Sequence, residues 1–310
     1  MIEPTQIIVA GAANVDIIGF PEEKLIMRDA NIGSMEIGTG GVGRNIAQNL
    51  VLLGFEVYLA TLFGDDPLSK YLVKACNEDR INISDSLLIK NQKVSSFIAI
   101  LDETNDLAVG ISAMDIFNEE NCLSLVQNIL PTREPDYFVM ETNLEAPALK
   151  KITEKFKGNK FILDTVSGRK ALRAKKVLQD LYILKTNQLE AEILSGIKVN
   201  EKEDLEKMIR YFLDKGVKKV FITLGKKGVI YGDENQIGFK DSITSKVVNT
   251  IGAGDAFVAG LIYADNLELP LDQMALFGMA AAAITVQNKK TVNPEMSIQK
   301  IQQILANVPS

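Results

Sequence analysis

From residue 137 onward, short apolar segments alternate with longer segments of helical pattern. The apolar segments predict strands at residues 137–140, 161–163, 181–184 and 219–223. Residues 145–156 and 204–215 predict helices, and residues 229–231 and 236–239 predict a closing hairpin. Strands that are joined through helices pair in parallel. The alternation therefore predicts an α/β fold with a mostly parallel central sheet flanked by helices.

The N-terminal part follows the same alternation, with two interruptions. Its predicted strands and helices are residues 6–10, 46–53, 56–61 and 68–76. Residues 17–37 have no helical period, and residues 94–101 and 107–112 predict a hairpin around the polar turn 102–106. We expect these interruptions to form a small sheet that covers the main one. The expected division is a core of residues 1–16, 38–93 and 113–310, and a β lid of residues 17–37 and 94–112.

Residues 252–255 read Gly-Ala-Gly-Asp, between a predicted strand at 242–248 and a predicted helix at 256–264. The glycines leave backbone N–H groups uncovered at a helix N-terminus, where unpaired donors and the helix dipole favour an anion. A carboxylate such as Asp255 would repel that anion as a binder. It suits a general base that deprotonates an attacking hydroxyl while Gly252, Ala253 and Gly254 hold the developing charge. The alternative is that Asp255 only caps the helix.

Several predicted strands end in polar or glycine-rich turns. Parallel strands bring these turns to one edge of the sheet, so we expect one groove lined by Asn143, Asp164, Asn187, Gly225 and Asp255. Each polar residue taken alone could be a helix cap. Asn14 and Asp16 follow the first strand in the same way, with an Asx turn as the alternative.

A second glycine-rich segment, residues 39–45, opens the predicted helix at 46–53. Its glycines would let a ligand approach the helix start, and Asn45 lies one turn in, where it could bond a ligand hydroxyl. No Gly-Lys-Ser/Thr follows, so the segment is not a Walker A loop.

Composition excludes several function classes. The chain has no histidine, which excludes Ser-His-Asp triads and histidine-ligated metals. Its formal charge of −6 argues against a nucleic-acid or anionic-membrane surface. Cys76 and Cys122 lie far apart and outside any motif, as free thiols do in a reducing cytoplasm. Residues 1–5 have no basic region typical of a signal peptide, and the apolar segment 274–286 is too short to span a bilayer.

Taken together, the two glycine motifs resemble the signatures of the ribokinase-like, PfkB-type sugar and nucleoside kinases. The first is Gly-Gly-Val-Gly-Arg-Asn at residues 40–45, and the second is Asn-Thr-Ile-Gly-Ala-Gly-Asp-Ala-Phe at residues 249–257. The likeness covers essentially the whole chain. It implies a ribokinase-like fold with a small β lid over the substrate, and ATP with Mg²⁺ as the phosphoryl donor.

The resemblance also implies roles for individual residues. Asp255 corresponds to the base that deprotonates a primary sugar hydroxyl, and residues 252–254 correspond to the anion hole. The residues that correspond to the ribose-binding set are Asn14, Asp16, Gly41 and Asn45. Asn187 and Glu190 match an Asn-x-x-Glu motif that serves the phosphates and, through water, Mg²⁺. The nucleotide-binding turn corresponds to Thr223, Gly225 and Gly228.

Within the family, the chain is most similar to the pseudouridine kinases. The longer matching stretches are residues 41–50, 113–116, 166–170, 189–197 and 292–297. The implied reaction transfers a phosphoryl group from ATP to the 5′-hydroxyl of pseudouridine. Pseudouridine differs from uridine by a C-glycosidic bond and a free N1–H, so a polar contact must read the base. Ser96 and Lys170 are the candidates, although Lys170 could equally be an exposed helix lysine.

The chain departs from the family pattern at four positions. Ile251 stands where threonine is usual, and Asn249 where aspartate is common. In many members of the family this loop binds a monovalent cation, so Asn249 and Ile251 define a possible K⁺ site. Thr186 replaces a proline, and Met279 stands where some members place an asparagine near adenine, which suggests an apolar wall.

Two competing functions remain open at this point. The ribose-binding set would also serve a kinase for ribose, another sugar or another nucleoside. A non-catalytic nucleoside-binding regulator is disfavoured because Asp255 and the anion-hole glycines are all present and no DNA-binding extension is visible. An apolar lid sheet often pairs with a second copy, so we expect a homodimer through the lid.

Overall fold

The computed structural model describes residues 5–104, 107–130 and 134–308. The strands are β1 (Gln6–Ala10), β2 (Asn14–Pro21), β3 (Gly33–Gly40), β4 (Glu56–Ala60), β5 (Leu62–Phe63), β6 (Leu87–Leu88), β7 (Ser96–Leu101), β8 (Leu107–Ala113), β9 (Tyr137–Glu141), β10 (Lys160–Asp164), β11 (Leu181–Asn187), β12 (Lys219–Thr223), β13 (Val229–Gly232) and β14 (Ile237–Lys240). The helices are α1 (Val42–Leu52), α2 (Pro67–Glu78), α3 (Glu119–Asn128), α4 (Ala146–Lys155), α5 (Gly168–Ala171), α6 (Gln188–Ser195), α7 (Lys202–Asp214), α8 (Ala253–Asn266), α9 (Leu271–Thr285) and α10 (Ile298–Leu305).

The central sheet has the strand order β14-β13-β12-β11-β10-β9-β1-β4. All neighbouring strands from β12 to β4 are parallel, whereas β13 pairs antiparallel with both β12 and β14. This confirms the predicted α/β fold, because each parallel step needs the helical crossover that the sequence pattern supplies.

The sheet is buried on both faces, as the alternation along β1 shows. Ile7 and Val9 pack into a core with helices α1, α8 and α9, while Ile8 and Ala10 pack into a second core with α3, α4 and α7. Successive strand residues point to opposite faces, so one continuous apolar strand serves both cores.

A separate four-stranded sheet has the order β3-β2-β7-β8. Strand β2 pairs antiparallel with β3 and parallel with β7, and β7 pairs antiparallel with β8. The two predicted interruptions of the β-α pattern therefore do form one small sheet. Asn105 and Asp106 of the predicted polar turn lie outside the described residues.

The predicted strand at residues 242–248 is wrong. These residues are mostly exposed, and they pair with none of the described strands, β14 being the last strand of the central sheet on this side. Hydrogen bonds hold the segment at its two ends: the hydroxyl of Ser242 donates to the carbonyl of Lys226, and the N–H groups of Val248 and Asn249 donate to the carbonyl of Val286. Its β-branched residues gave a strand pattern without a partner strand. The apolar segment at 274–286 is buried within α9, and no helix among the described residues could span a membrane.

Candidate active site

The site is built where α8 begins. Gly252 caps this helix in the left-handed region with φ of 84°, and a Cβ there would lie 1.9 Å from the carbonyl oxygen of Thr291. Glycine is therefore required both by the backbone conformation and by the close approach of another chain segment. No side chain caps the helix. The N–H of Ala253 donates to the carbonyl of Thr250 at 3.4 Å, and the next N–H groups of the first turn, of Gly254 and Asp255, are placed to face an anion.

Asp255 lies in the first turn of α8 and is buried, 7% exposed. Its Oδ2 accepts a hydrogen bond of 2.9 Å from Nδ2 of Asn45, on α1. Burial, together with the charge of Asp164, raises the pKa of Asp255 to about 8, against the opposing effects of the Asn45 hydrogen bond and of Lys185. The carboxyl group therefore bonds across to α1 instead of capping its own helix. A pKa near neutrality is the property that suits a general base.

Lys185 and Asp164 form a buried ion pair beside Asp255. Their Nζ and Oδ2 atoms are 2.7 Å apart, and both side chains are at least 92% buried. They are paired in register, with Asp164 at the end of β10 and Lys185 in the last part of β11. The sequence interpretation placed Asp164 in the groove but did not single out Lys185. The only signal was a charged residue directly continuing a buried apolar strand.

On the other side of Asp255, Asn14 and Asp16 belong to β2 itself and not to a turn. Asp16 lies against β3, where a Cβ on Gly40 would be 2.1 Å from its Oδ2. Burial raises the pKa of Asp16 to about 6, with Arg44 opposing the rise. Oδ1 of Asn14 is buried without a hydrogen-bond partner. A buried acceptor without a donor is what a ligand hydroxyl would satisfy.

The glycine-rich segment before α1 packs closely on the end of β1. Gly41 has φ of 94°, and a Cβ there would lie 2.5 Å from the carbonyl oxygen of Ala12. A Cβ on Gly43 would lie 2.8 Å from the carbonyl carbon of Gly11. This contact brings Asn45 close to Asp255 although 210 residues separate them.

Glu141, which the sequence interpretation missed, organises the next strand end. Its carboxylate accepts hydrogen bonds from the backbone N–H groups of Ala12 and Asn143. Burial raises the pKa of Glu141, and these hydrogen bonds oppose the rise. Nζ of Lys170 donates to Oδ1 of Asn143. Burial also lowers the pKa of Lys170, so this lysine is not the exposed helix residue of the alternative interpretation.

Ser96 lies at the start of β7 and pairs with Val15, whereas Phe97 pairs with Asp16. Residues paired in register share a sheet face, so Phe97 lies on the face of Asp16 and Ser96 on the opposite face. The base contact predicted for Ser96 stays a prediction. The sequence interpretation missed Phe97 because the pairing register decides its face.

The predicted nucleotide residues follow β11 and β12. Asn187 and Glu190 form a capping box: Asn187 Oδ1 accepts from the N–H of Glu190, and Glu190 Oε2 accepts from the N–H of Asn187. Thr223 ends β12 opposite Asn187. The turn after β12 has positive φ at Gly225 (59°) and Gly228 (111°). Met279 is buried inside α9.

The residues of the possible K⁺ site lie in the loop before α8. Oδ1 of Asn249 accepts from the N–H of Ile251 at 3.0 Å, and its Nδ2 donates to the carbonyl of Lys289. The Asn249 side chain is therefore already engaged within the protein. Ile251 is 57% exposed.

The strand ends meet at one edge of the sheet, as the polar turns indicated. Asp164 pairs in register with Glu141 on one side and Lys185 on the other, and Asn187 pairs with Thr223. The site region therefore comprises the buried, unpartnered Oδ1 of Asn14, the carboxyl group of Asp255 at the start of α8, and the glycine turn after β12. Such an edge can bind a polyol and a phosphate ester next to each other.

Comparison with known proteins agrees with this geometry. Residues 4–298 match the family described as pfkB family carbohydrate kinase. The pseudouridine kinase of Escherichia coli (strain K12) is 31% identical over 308 residues, which cover 99% of this chain and 98% of that protein. A solved structure of a putative sugar kinase from Clostridium perfringens is also 31% identical, with a TM-score of 0.80, and the match covers 99% of this chain and 96% of that one. The ribokinase of Arabidopsis thaliana, solved with ribose and ATP, is 20% identical with a TM-score of 0.83 over 98% of this chain and 99% of that one, which shows the fold.

Proposed function

The chain belongs to the PfkB family of carbohydrate kinases, and we propose that it transfers the terminal phosphoryl group of ATP to the 5′-hydroxyl of pseudouridine. The family assignment makes the chain an ATP-dependent phosphotransferase that acts on a small sugar or nucleoside. The finer substrate assignment rests on the likeness to the pseudouridine kinase of Escherichia coli.

The observation that carries the proposed chemistry is the Asp255 carboxyl group beside the uncapped start of α8. Phosphoryl transfer asks the protein mainly to position the reactants and to stabilise charge. Asp255 takes the proton of the acceptor hydroxyl, and the N–H groups of residues 252–254 stabilise the transferring phosphoryl oxygens. Asn45 holds the carboxylate toward the acceptor through its hydrogen bond.

The ribose binds between the small sheet and α1. The unpartnered Oδ1 of Asn14 and the carboxylate of Asp16 accept hydrogen bonds from ribose hydroxyls, next to Gly41 and Asn45. An analogue without those hydroxyls would leave buried acceptors unpaired, which is a strong basis for selection. Lys170 and Asn143 are linked to this region through Glu141, and we assign them the polar contact with the base.

The nucleotide binds along the ends of β11 and β12. We assign its phosphates to Asn187 and its binding turn to Thr223, Gly225 and Gly228, and Met279 provides an apolar wall at the adenine. A Cβ on Gly228 would lie 1.9 Å from the carbonyl oxygen of Lys240, so this turn needs its glycine for close packing.

Kinases of this family use ATP, typically with Mg²⁺. In the described ranges, no group of three or more Cys, Asp or Glu side chains could hold a metal ion. Mg²⁺ usually keeps several waters and binds through substrate phosphates, which fits such a site. Both carboxylate oxygens of Glu190 already accept hydrogen bonds, Oε1 from Asn187 and Oε2 from Thr165. Glu190 would therefore act on Mg²⁺ through a bound water and not as a direct ligand. A K⁺ ion near Asn249 and Ile251 would be coordinated by backbone carbonyls.

The small sheet acts as a lid that excludes water from the reaction, and its outer face forms a homodimer. Five exposed apolar side chains share the face opposite to Asp16: Met35, Ile37, Ile98, Val109 and Ile111. An unpaired apolar sheet face of this kind needs a cover. Sedimentation that shows only monomer at micromolar concentration would overturn the dimer.

Both cysteines are buried free thiols, which supports a reducing compartment such as the cytoplasm.

The proposed function is tested by ADP release from ATP with Mg²⁺ and K⁺, using pseudouridine, uridine or ribose as acceptor. We expect kcat/KM to favour pseudouridine by about 100-fold, which is about 3 kcal/mol of discrimination. The Asp255→Asn variant should lose nearly all activity with every acceptor. Equal activity with ribose or uridine would overturn the assignment of pseudouridine as the substrate but would leave the kinase activity supported. Pseudouridine binding without any phosphorylation would favour the non-catalytic alternative.

A further inference from the structure

Lys185 places a buried positive charge at the anion hole. A Cβ built on Gly254 would lie 2.6 Å from Nζ of Lys185, so the ammonium group occupies the space beside the Gly254 α-carbon. The φ of Gly254 is not positive, unlike that of Gly252. The second glycine of the Gly-Ala-Gly-Asp motif is therefore explained by the lysine, and the first by its backbone conformation.

The charge balance around this ammonium group is unusual for a buried site. Asp164 forms its ion pair, and Asp255 and Glu190 also act on it through their charges. Burial lowers the pKa of Lys185, but these three carboxylates raise it by more, so the pKa is above its ordinary value. The lysine therefore stays protonated.

A triphosphate adds further negative charge to this place. The start of a helix offers only about half a positive charge. That charge is too small to neutralise a phosphate group that lies beside several carboxylates. A fixed ammonium group in a buried site is a strong partner for phosphoryl oxygens.

We propose that Lys185 is a further catalytic residue of the phosphotransferase reaction, whose ammonium group binds the terminal phosphoryl oxygens of ATP beside Gly254. The proposal rests on the phosphotransferase function, but it does not depend on which acceptor is used. Asp164 holds the ammonium group in position when no nucleotide is bound.

During transfer, the acceptor oxygen forms a bond to the terminal phosphorus and the bond from that phosphorus to the bridging oxygen of ADP breaks. The hydroxyl proton goes to Asp255, and Lys185 keeps its proton throughout. The lysine neutralises the phosphoryl charge before, during and after transfer.

The test compares the binding of ADP and of the β,γ-imido analogue of ATP by calorimetry, with Mg²⁺ and without acceptor. We expect Lys185→Met to weaken binding of the analogue by about 10- to 100-fold while ADP binding changes less than about threefold, as for one lost charged hydrogen bond. Turnover should fall by at least as much as analogue binding.

Two further variants keep the test decisive. Lys185→Met leaves Asp164 buried and unpaired, so the double variant Asp164→Asn/Lys185→Met removes both charges and should fold while showing the same selective loss. Lys160→Met is the control, because Lys160 also pairs with a buried carboxylate, Asp265, but at the opposite end of β10. It should leave the preference for the triphosphate unchanged.

The proposal would be overturned if the double variant kept both the preference for the triphosphate and the turnover of the wild type. Lys185 would then be a purely structural residue. Failure of the wild type to phosphorylate pseudouridine, with the nucleotide preference intact, would overturn the proposed substrate and not the role of Lys185. A wild type that binds neither nucleotide would overturn both.

Discussion

The Asp255→Asn variant should be more stable than the wild type, and its advantage should grow with pH. Folding moves the pKa of Asp255 from 3.8 to about 8. Between these values the folded protein holds a proton that the unfolded chain has released. The free energy of unfolding of the wild type then falls by about 1.4 kcal/mol for each pH unit, relative to a variant without this group. From pH 5.5 to pH 7.5, the variant should therefore gain about 2.7 kcal/mol on the wild type.

The sign follows from the direction of the shift. Ionised Asp255 is disfavoured in the fold, so stability decreases as pH rises toward the folded pKa and is constant above it. Asparagine has nearly the same shape, and its side-chain oxygen can still accept the hydrogen bond from Asn45. Asp16, which also has a raised pKa, remains in both proteins and cancels in the difference.

Urea unfolding at pH 5.5, 6.5 and 7.5 measures this difference, with the protein free of nucleotide. Asp265→Asn is the matched control, because its hydrogen bonds to Lys219 and Lys160 outweigh burial and lower the pKa of Asp265. That carboxyl group is ionised both folded and unfolded across this range, so its difference from the wild type should not change with pH. If the free energies of unfolding of the wild type and Asp255→Asn changed in parallel with pH, the raised pKa of Asp255 would be refuted. The proposed general base with a pKa near neutrality would be refuted with it.

Three other measurements follow from the same contacts. The kcat/KM of the wild type should rise about tenfold for each pH unit toward pH 8 and then level off, as Asp255 loses its proton; a flat profile from pH 6 to pH 9 would contradict this assignment. Gly252→Ala should lower the free energy of unfolding by at least about 2 kcal/mol in urea, because φ is 84° and the new methyl group would meet Thr291, whereas Gly158→Ala meets no neighbouring atom and serves as the control for a positive φ alone. Asp265→Asn should lower the free energy of unfolding by about 2–4 kcal/mol in calorimetry, because it leaves Lys219 and Lys160 without their buried partner. Asp180 forms a more exposed pair with Lys150, so the control variant Asp180→Asn should lose less than about 1 kcal/mol. Equal losses in the two variants would refute the greater contribution of the buried pair.

The sequence predicted those parts of the fold that depend on local pattern. The β-α alternation gave the parallel order of β9 to β12, and the loss of helical period gave the small sheet. Residues 242–248 have the same kind of local pattern, but a strand also needs a neighbour, and that information lies in the topology.

The candidate site shows the same limit at the level of single residues. Gly252, Asn45 and Asp255 could be predicted because two glycine motifs mark them. Lys185 and Glu141 have no motif of their own, and their significance comes from buried contacts with residues far away in the chain. Phe97 shares a face with Asp16 only because of the register between β7 and β2.

The most direct test of the proposed function is a competition in one tube. Pseudouridine, uridine and ribose are supplied at equal concentrations with limiting ATP and Mg²⁺. The phosphorylated products are separated by liquid chromatography before mass spectrometry, because the phosphates of pseudouridine and uridine are isomers of equal mass. The product ratio gives the ratio of kcat/KM values directly. We predict pseudouridine 5′-phosphate as the dominant product with wild type and no product with Asp255→Asn. A dominant phosphate of ribose or uridine, or unchanged product formation by the variant, would contradict the proposed function.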